Sequence, residues 1–385
     1  MKERKYSEQI NIENEQKLRA LVAELPQFCR EYFIGIEPST SSRTRIAFAY
    51  DLGVFFHYLH ENNSTLSKIE ITDFPIDILE QITPMDIEEY LQYLKFYTHN
   101  GKEYTNDERG QMRKLACLRS FYNYFFRKEI IEKNPAALVQ MPKQHEKNIV
   151  RLDVDEIAIL LDEAESGEKL TERQKIYHNK TKKRDMAILT LLLGTGIRVS
   201  ECVGLDLNDI DPKKNGIKVH RKGGSEVMVY FGDEVAEALD AYLDERLEME
   251  PKEGSTEAVF LSMQNRRINV RSVENLVKKY SRLVTTVKNI TPHKLRSTYG
   301  TTLYQETGDI YLVADVLGHK DVNTTKKHYA AQADSRRRMA ARAVQLREKP
   351  VNTEEEGTPQ TEFCLWIQVF DCLSHQMGTG MIEHV

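Results

Sequence analysis

One stretch of the chain, Gly216-Ile-Lys-Val-His-Arg-Lys-Gly-Gly-Ser-Glu-Val-Met-Val-Tyr-Phe231, reads clearly as β-structure, and it stands among segments that read as helix. Two short β-branched runs flank Lys222-Gly223-Gly224-Ser225, whose glycines accept the φ values a tight hairpin turn demands. The chain is therefore expected to be mainly α with a small antiparallel β-sheet.

The helical signals are specific. Between Arg43 and Leu59, apolar groups recur at Phe48, Leu52, Phe55, Phe56 and Leu59, close to the 3.6-residue period. Thr83-Pro84-Met-Asp-Ile-Glu combines a capping Thr, a Pro at the first helical position and an acidic first turn. Glu108 to Lys128 is a long amphipathic segment that turns Leu115, Leu118, Phe121, Tyr122 and Phe125 inward. No strand is expected between these helices. Asp185 to Leu193 is nearly all apolar and reads as a buried helix, whereas the polar run Glu163 to Lys183 reads as an exposed excursion.

A length of 385 residues exceeds what one ordinary core serves and implies two domains. The expected division is an N-terminal extension over 1–20, an all-helical domain over 21–140, a linker over 141–152, a second domain over 153–348 and a tail over 349–385. Two prolines and a polar end mark the stretch Asn134 to Lys147 as a boundary. The tail is acidic, then apolar, then glycine-rich.

The net charge of −5 is unevenly spread. From Val351 onward there are six acids and no Lys or Arg, so the remaining body sets 54 basic residues against 53 acidic ones. A near-neutral body can still present one basic face. The five cysteines are scattered, without a CxxC pair, which argues against a zinc knuckle or a disulfide framework. No apolar run approaches the ~20 residues that span a bilayer, and the first residues lack the apolar core of a secretory signal. A reducing, cytoplasmic setting without a membrane partner is expected.

Four segments of the second domain carry chemistry-bearing residues. In Gly194-Thr-Gly-Ile-Arg198-Val-Ser-Glu201, an arginine follows the glycines that break a buried helix. An unpaired charge is costly there, so Arg198 is either ion-paired, with Glu201 as partner, or a binding group. Lys222 at the hairpin tip is either a solvated turn residue or a mobile proton donor. In Thr291-Pro-His293-Lys-Leu-Arg296, His293 and Arg296 are three apart and share a helix face near an N-terminus, which suits an anion as well as it suits an ordinary basic surface. In Leu317-Gly-His-Lys-Asp-Val-Asn-Thr-Thr-Lys-Lys-His-Tyr329, Gly318 suits a left-handed helix cap. His319 is then either favoured by the helix dipole or part of a site, and Tyr329 is either a core aromatic or a reacting group.

Taken together, Arg198, Lys222, His293, Arg296, His319 and Tyr329 are several cations and one phenol, without the acid cluster that would hold a metal. This set suits attack on a phosphodiester. Two arginines grip the non-bridging oxygens of the phosphate and of its pentacoordinate transition state. A lysine protonates the leaving 5′-oxygen. A tyrosine of pKa ~10 attacks as phenolate once a base such as His293 or a cationic field assists. The phosphotyrosine conserves the energy of the broken bond, so neither ATP nor another cofactor is required.

The motifs TGIRVSE, the KGG hairpin, TPHKLRSTYGTTL and LGHKDVNTTKKHY, in this order from Gly194 to Tyr329, resemble those of the tyrosine recombinases, the family of the phage integrases, and most closely its Xer-like members. The resemblance implies a helical core-binding domain and a catalytic domain that clamp DNA as a C. It implies a site-specific recombinase with Arg198, Lys222, His293, Arg296 and His319 as the pocket and Tyr329 as the nucleophile that forms a 3′-phosphotyrosyl link. It further implies double-stranded DNA with paired inverted half-sites as partner, and a tetramer, of this chain alone or with a paralogous recombinase, acting through a Holliday junction. The role would be chromosome dimer resolution or integration and excision of a mobile element. Ser297 departs from the family, which commonly has His there, and the tail past Pro350 has no counterpart. Type IB topoisomerase-like relaxation and a non-catalytic DNA-binding regulator are the alternatives; retention of all six pocket residues speaks against the second.

Further DNA contacts are expected from Arg271, Asn275 and Lys278, which share one side of a helix at spacings of four and three. Arg271 and Asn275 suit base edges and Lys278 a phosphate. Arg43, Arg45, Arg113 and Lys114 in the first domain and Lys143 in the linker are candidates for backbone phosphates.

Overall fold

The computed structural model describes residues 6–99, 101–143, 150–221, 225–319, 321, 322 and 325. Lys222, Tyr329 and the tail lie outside the described residues.

The first lobe contains helices α1 (Tyr6–Ala23), α2 (Cys29–Gly35), α3 (Ser42–Asn62), α4 (Ile78–Gln81) and α5 (Pro84–Tyr93), a hairpin of β1 (Tyr97–His99) and β2 (Lys102–Tyr104), and helices α6 (Glu108–Arg127) and α7 (Pro135–Leu138). Its core is aromatic. Phe55, Phe56, Phe121, Tyr122 and Phe125 are completely buried, as the helical period requires, and Phe121 packs edge-on against Tyr32 at 5.1 Å and Phe56 at 6.1 Å. Each such side chain contributes roughly 1.5–3 kcal/mol by leaving water. The start of α5 is the expected one: Thr83 accepts from the Asp86 amide and Asp86 returns a bond to the Thr83 amide.

Two features of this lobe correct the sequence reading. Residues 97–104 form a hairpin rather than a strand-free link, with Tyr97 paired to Tyr104 and Gly101 at φ 69°. The strands are three residues each, too short to show alternation. The stretch assigned to an N-terminal extension contains most of α1, whose Leu18 belongs to the lobe's core.

The second lobe contains α8 (Val154–Ser166), α9 (Glu172–Thr195), α10 (Val199–Val203), the strands β3 (Ile210–Asp211), β4 (Gly216–His220) and β5 (Glu226–Tyr230), and helices α11 (Asp233–Glu248), α12 (Val270–Val284), α13 (Pro292–Thr307) and α14 (Ile310–Leu317). The sheet is antiparallel in the order β3-β4-β5. Ile217 faces Val229 and Val219 faces Val227 across β4 and β5, which turns Ile217, Val219 and Val229 into the core.

The polar run 163–183 is mostly exposed, as expected, but it is largely helical rather than an excursion, and several of its polar residues are buried. Glu163 lies in α8, buried and paired with Lys169 at 3.0 Å. Thr171 and Gln174 then form a capping box that starts α9, and this helix continues without a break into the apolar segment. His178, Thr181 and Asp185 are buried along it. Asp185 accepts from Thr181, Lys279 and Tyr280, and His178 Nδ1 lies 3.0 Å from the Tyr280 hydroxyl. Hydrogen bonding across helices is what permits these polar side chains to be inside. No helix among the described residues is long and apolar enough to cross a membrane.

Candidate active site

The site begins where α9 ends. Gly196 adopts φ 61°, and a Cβ there would lie 2.4 Å from the Tyr299 ring, so both the turn and the packing require glycine. The turn delivers Arg198 to the start of α10. The Arg198 backbone N–H donates to Glu201 Oε2 at 2.8 Å and its guanidinium Nη1 donates to Glu201 Oε1 at 2.8 Å. The ion pair considered from sequence is thus present. It does not exhaust the arginine, whose side chain remains 36 % exposed and whose Nη2 donates to the Gly318 carbonyl at 3.2 Å. Cys202, the next residue after Glu201, is fully buried, and burial pushes its thiol up to about 12; it is no thiolate nucleophile.

Arg296 approaches from α13. It is 5 % exposed and donates through Nη1 to the Gly196 carbonyl and through Nη2 to the Leu317 carbonyl. His293, one turn earlier, is exposed at the start of the same helix. Ser297 is buried and returns its hydroxyl to the His293 carbonyl at 3.0 Å; a hydroxyl fits this position without opening the pocket.

The end of α14 completes the site. Gly318 takes the left-handed conformation (φ 61°), its N–H donating to the Asp315 carbonyl at 2.8 Å and the His319 N–H to the Ala314 carbonyl at 2.9 Å. This is a Schellman closure, built on the left-handed cap expected at Gly318. His319 Nδ1 lies 2.8 Å from the hydroxyl of the fully buried Thr325, which fixes the ring plane.

Beyond this closure the carbonyls of residues 315–318 each accept from an arginine side chain, at a helix end that carries partial negative charge. Three arginines from three segments meet them. Arg221, at the end of the β4 side of the hairpin, donates to Asp315 O at 3.2 Å and Val316 O at 2.7 Å. Arg296 takes Leu317 O and Arg198 takes Gly318 O. Arg198 and Arg296, far apart in sequence, are thereby held on consecutive carbonyls beside His319. Arg221, Glu201 and Thr325 were absent from the sequence-derived set as site residues; Glu201 alone had a local signal, its spacing of three from Arg198.

The expected DNA-contacting residues divide. Arg271, Asn275 and Lys278 are exposed along α12, with Arg271 paired to Glu274 at 3.0 Å. Arg43 and Lys143 are exposed. Arg113 is half exposed but bound to Asp51 at 2.6 Å. Arg45 and Lys114 are corrected: both are buried in ion pairs that tie helices together. Arg45 reaches Glu15 at 2.6 Å, joining α1 to α3, and Lys114 reaches Asp51 at 3.0 Å, joining α3 to α6. In this structure both charges are answered by carboxylates inside the first lobe.

The sequence model described as the phage integrase family matches residues 150–336. The chain is 35 % identical to tyrosine recombinase XerC of Caldanaerobacter subterraneus over 306 residues, covering 77 % of this chain and 79 % of that one. It is 29 % identical over 307 residues to tyrosine recombinase XerD of Staphylococcus epidermidis, covering 80 % of this chain and 94 % of that one. Among solved structures, the XerH site-specific recombinase bound to palindromic difH substrate, a post-cleavage complex, superposes with a TM-score of 0.59 at 19 % identity, over 79 % of this chain and 80 % of that one. At that identity the likeness concerns the fold.

Proposed function

This chain belongs to the tyrosine recombinases of the phage integrase family and is an Xer-like, site-specific recombinase, and from that premise we propose how its own residues cut and rejoin DNA. The observation that carries the reading is the convergence of Arg198 and Arg296 on the consecutive carbonyls of Gly318 and Leu317, next to His319.

Double-stranded DNA is the substrate. Arg198, Arg296 and His319 bind the non-bridging oxygens of the scissile phosphate. A guanidinium carries five N–H donors in a planar fork; among the described residues, the Arg198 side chain spends one on Glu201 and one on Gly318, leaving others for phosphate. The Tyr329 phenol, giving its proton to His293, attacks phosphorus. The P–O5′ bond breaks as the P–O(Tyr) bond forms, and Lys222 supplies the proton that converts the leaving 5′-oxygen to a hydroxyl. The product is a 3′-phosphotyrosyl link, and attack on it by a 5′-hydroxyl reverses each transfer. Negative charge on the pentacoordinate phosphorus exceeds that of the ground state, so fixed cations stabilise the transition state selectively.

The two lobes clamp one half-site, with Arg43 and Lys143 on phosphates, and Arg271, Asn275 and Lys278 along α12 in the major groove. Four protomers on two sites of inverted half-sites exchange strands in pairs through a Holliday junction. A duplex recovered by selection from a random-sequence pool, placed twice in one plasmid, tests this. The wild-type chain should yield recombinant circles and Tyr329→Phe none; relaxation of supercoils without recombinants would overturn the recombinase reading.

A further inference from the structure

We propose that Arg221 is a positioning residue for the reaction: it locks the hairpin that carries Lys222 onto the helix end that carries His319. The inference rests on the recombinase reading and assigns a role to a side chain outside the pocket set.

The Arg221 guanidinium spans two successive carbonyls, Asp315 and Val316, at 3.2 and 2.7 Å. Its backbone N–H donates to the Ser225 carbonyl at 2.8 Å, so the chain is closed between residues 221 and 225. Lys222 is the covalent neighbour of Arg221, and consecutive Cα atoms are ~3.8 Å apart. The fit on the other side is equally close. A Cβ on residue 318 would lie 2.2 Å from Arg221 Nη1, so the absence of a side chain at Gly318 makes room for the guanidinium. Asp315 O and Val316 O are the carbonyls that Arg198 and Arg296 leave untouched. With Arg221 in place, one helix end registers three things at once: the two phosphate-gripping arginines, the segment of His319, and the base of the lysine's hairpin. A lysine on an unanchored hairpin spends most of its time away from the leaving oxygen, and proton transfer needs hydrogen-bond distance.

A role exercised through Lys222 has a chemical signature. When sulfur replaces the bridging 5′-oxygen of the scissile phosphate, the leaving thiolate needs no proton, and the lysine's contribution disappears from the rate. The full-length protein, a nicked duplex of the selected site, and its 5′-bridging phosphorothiolate counterpart supply the test in single-turnover cleavage. Arg221→Gln is expected to slow cleavage of the oxygen substrate by about tenfold or more while cleavage of the sulfur substrate stays near the wild-type rate and duplex affinity is unchanged. Arg221→Lys, which keeps one donor for the carbonyl pair, is expected to fall between. Equal slowing of both substrates, or slowing of neither, overturns the proposal. If Arg221→Gln fails to fold, the same comparison with Arg221→Lys decides. Failure of the wild-type chain to cleave either substrate would instead remove the recombinase reading, and this proposal with it.

Discussion

Glu201 holds Arg198 at two points, accepting from its backbone N–H and from its guanidinium, both at 2.8 Å. The carboxylate is almost wholly buried while the arginine is about one-third exposed. The pair therefore orients a partly open cation rather than neutralising it. Glu201→Gln keeps an acceptor but removes the charge. Single-turnover cleavage is expected to slow by about tenfold, less than the 10²–10³ typical when a transition-state donor is itself removed. Arg198→Ala is expected to reach that larger loss. Duplex affinity, followed by fluorescence anisotropy, should change little in either variant. Unaltered cleavage by Glu201→Gln would show that Arg198 needs no such orientation.

Gly318 is constrained twice, by φ 61° and by the Arg221 guanidinium where a Cβ would stand. Gly254 provides the contrast, with φ 78° and nothing within 4 Å of its would-be Cβ. Gly254→Ala is expected to cost about 1–2 kcal/mol, the backbone penalty alone. Gly318→Ala should cost more and should also slow cleavage, because the helix end that seats Arg198 and Arg296 must shift. Urea denaturation of the two variants measures the difference, and equal destabilisation would contradict it.

The sequence reading was strongest where local chemistry decides. Gly318 was legible as a left-handed cap because a terminal Gly after an apolar helix has few other uses. The β4–β5 hairpin and the inward face of α6 were legible from their periods. The β1–β2 hairpin escaped because its strands are too short to alternate, although Asn100-Gly101 between tyrosines is a turn signal in its own right. The polar half of α9, Arg45 and Lys114 were misjudged for one reason: a buried charge or hydroxyl is tolerated only through partners distant in sequence, such as Lys279 and Tyr280 for Asp185 or Glu15 for Arg45. Arg221 was invisible for the same reason, since its two acceptors lie more than ninety residues away.

His178 gives the fold a pH dependence. Burial, reinforced by the nearby Lys279 charge, lowers its pKa below the ordinary 6.5. The folded state thus favours the neutral ring, and below about pH 6.5 the unfolded chain binds the proton more readily. Stability from this group is full above that pH and is lost as pH falls toward the folded value, by at most about 1.4 kcal/mol per pH unit. His178→Gln should lose less stability than wild type between about pH 7.5 and pH 5.5. Parallel losses of urea midpoint in the two proteins would refute the assignment.

The proposed DNA contacts along the exposed face of α12 are expected to separate affinity from specificity. Lys278→Ala is expected to weaken all duplexes alike and to reduce the slope of log affinity against log salt by about one. Asn275→Ala and Arg271→Ala should instead narrow the preference for the selected site over scrambled sequence, by roughly 1–3 kcal/mol for a base contact. A Lys278→Ala variant with unchanged salt slope would remove that residue from the phosphate contacts.

The central claim is that Tyr329 forms the covalent bond to DNA. A duplex nicked beside the scissile phosphate loses the short 5′-hydroxyl fragment after cleavage and traps the linked protein. Proteolysis and mass spectrometry of the trapped species locate the attachment. The expected result is a nucleotide-linked peptide containing Tyr329 in the wild-type protein and no adduct in Tyr329→Phe. An adduct that persists in Tyr329→Phe, or a link on any other residue, would contradict the account.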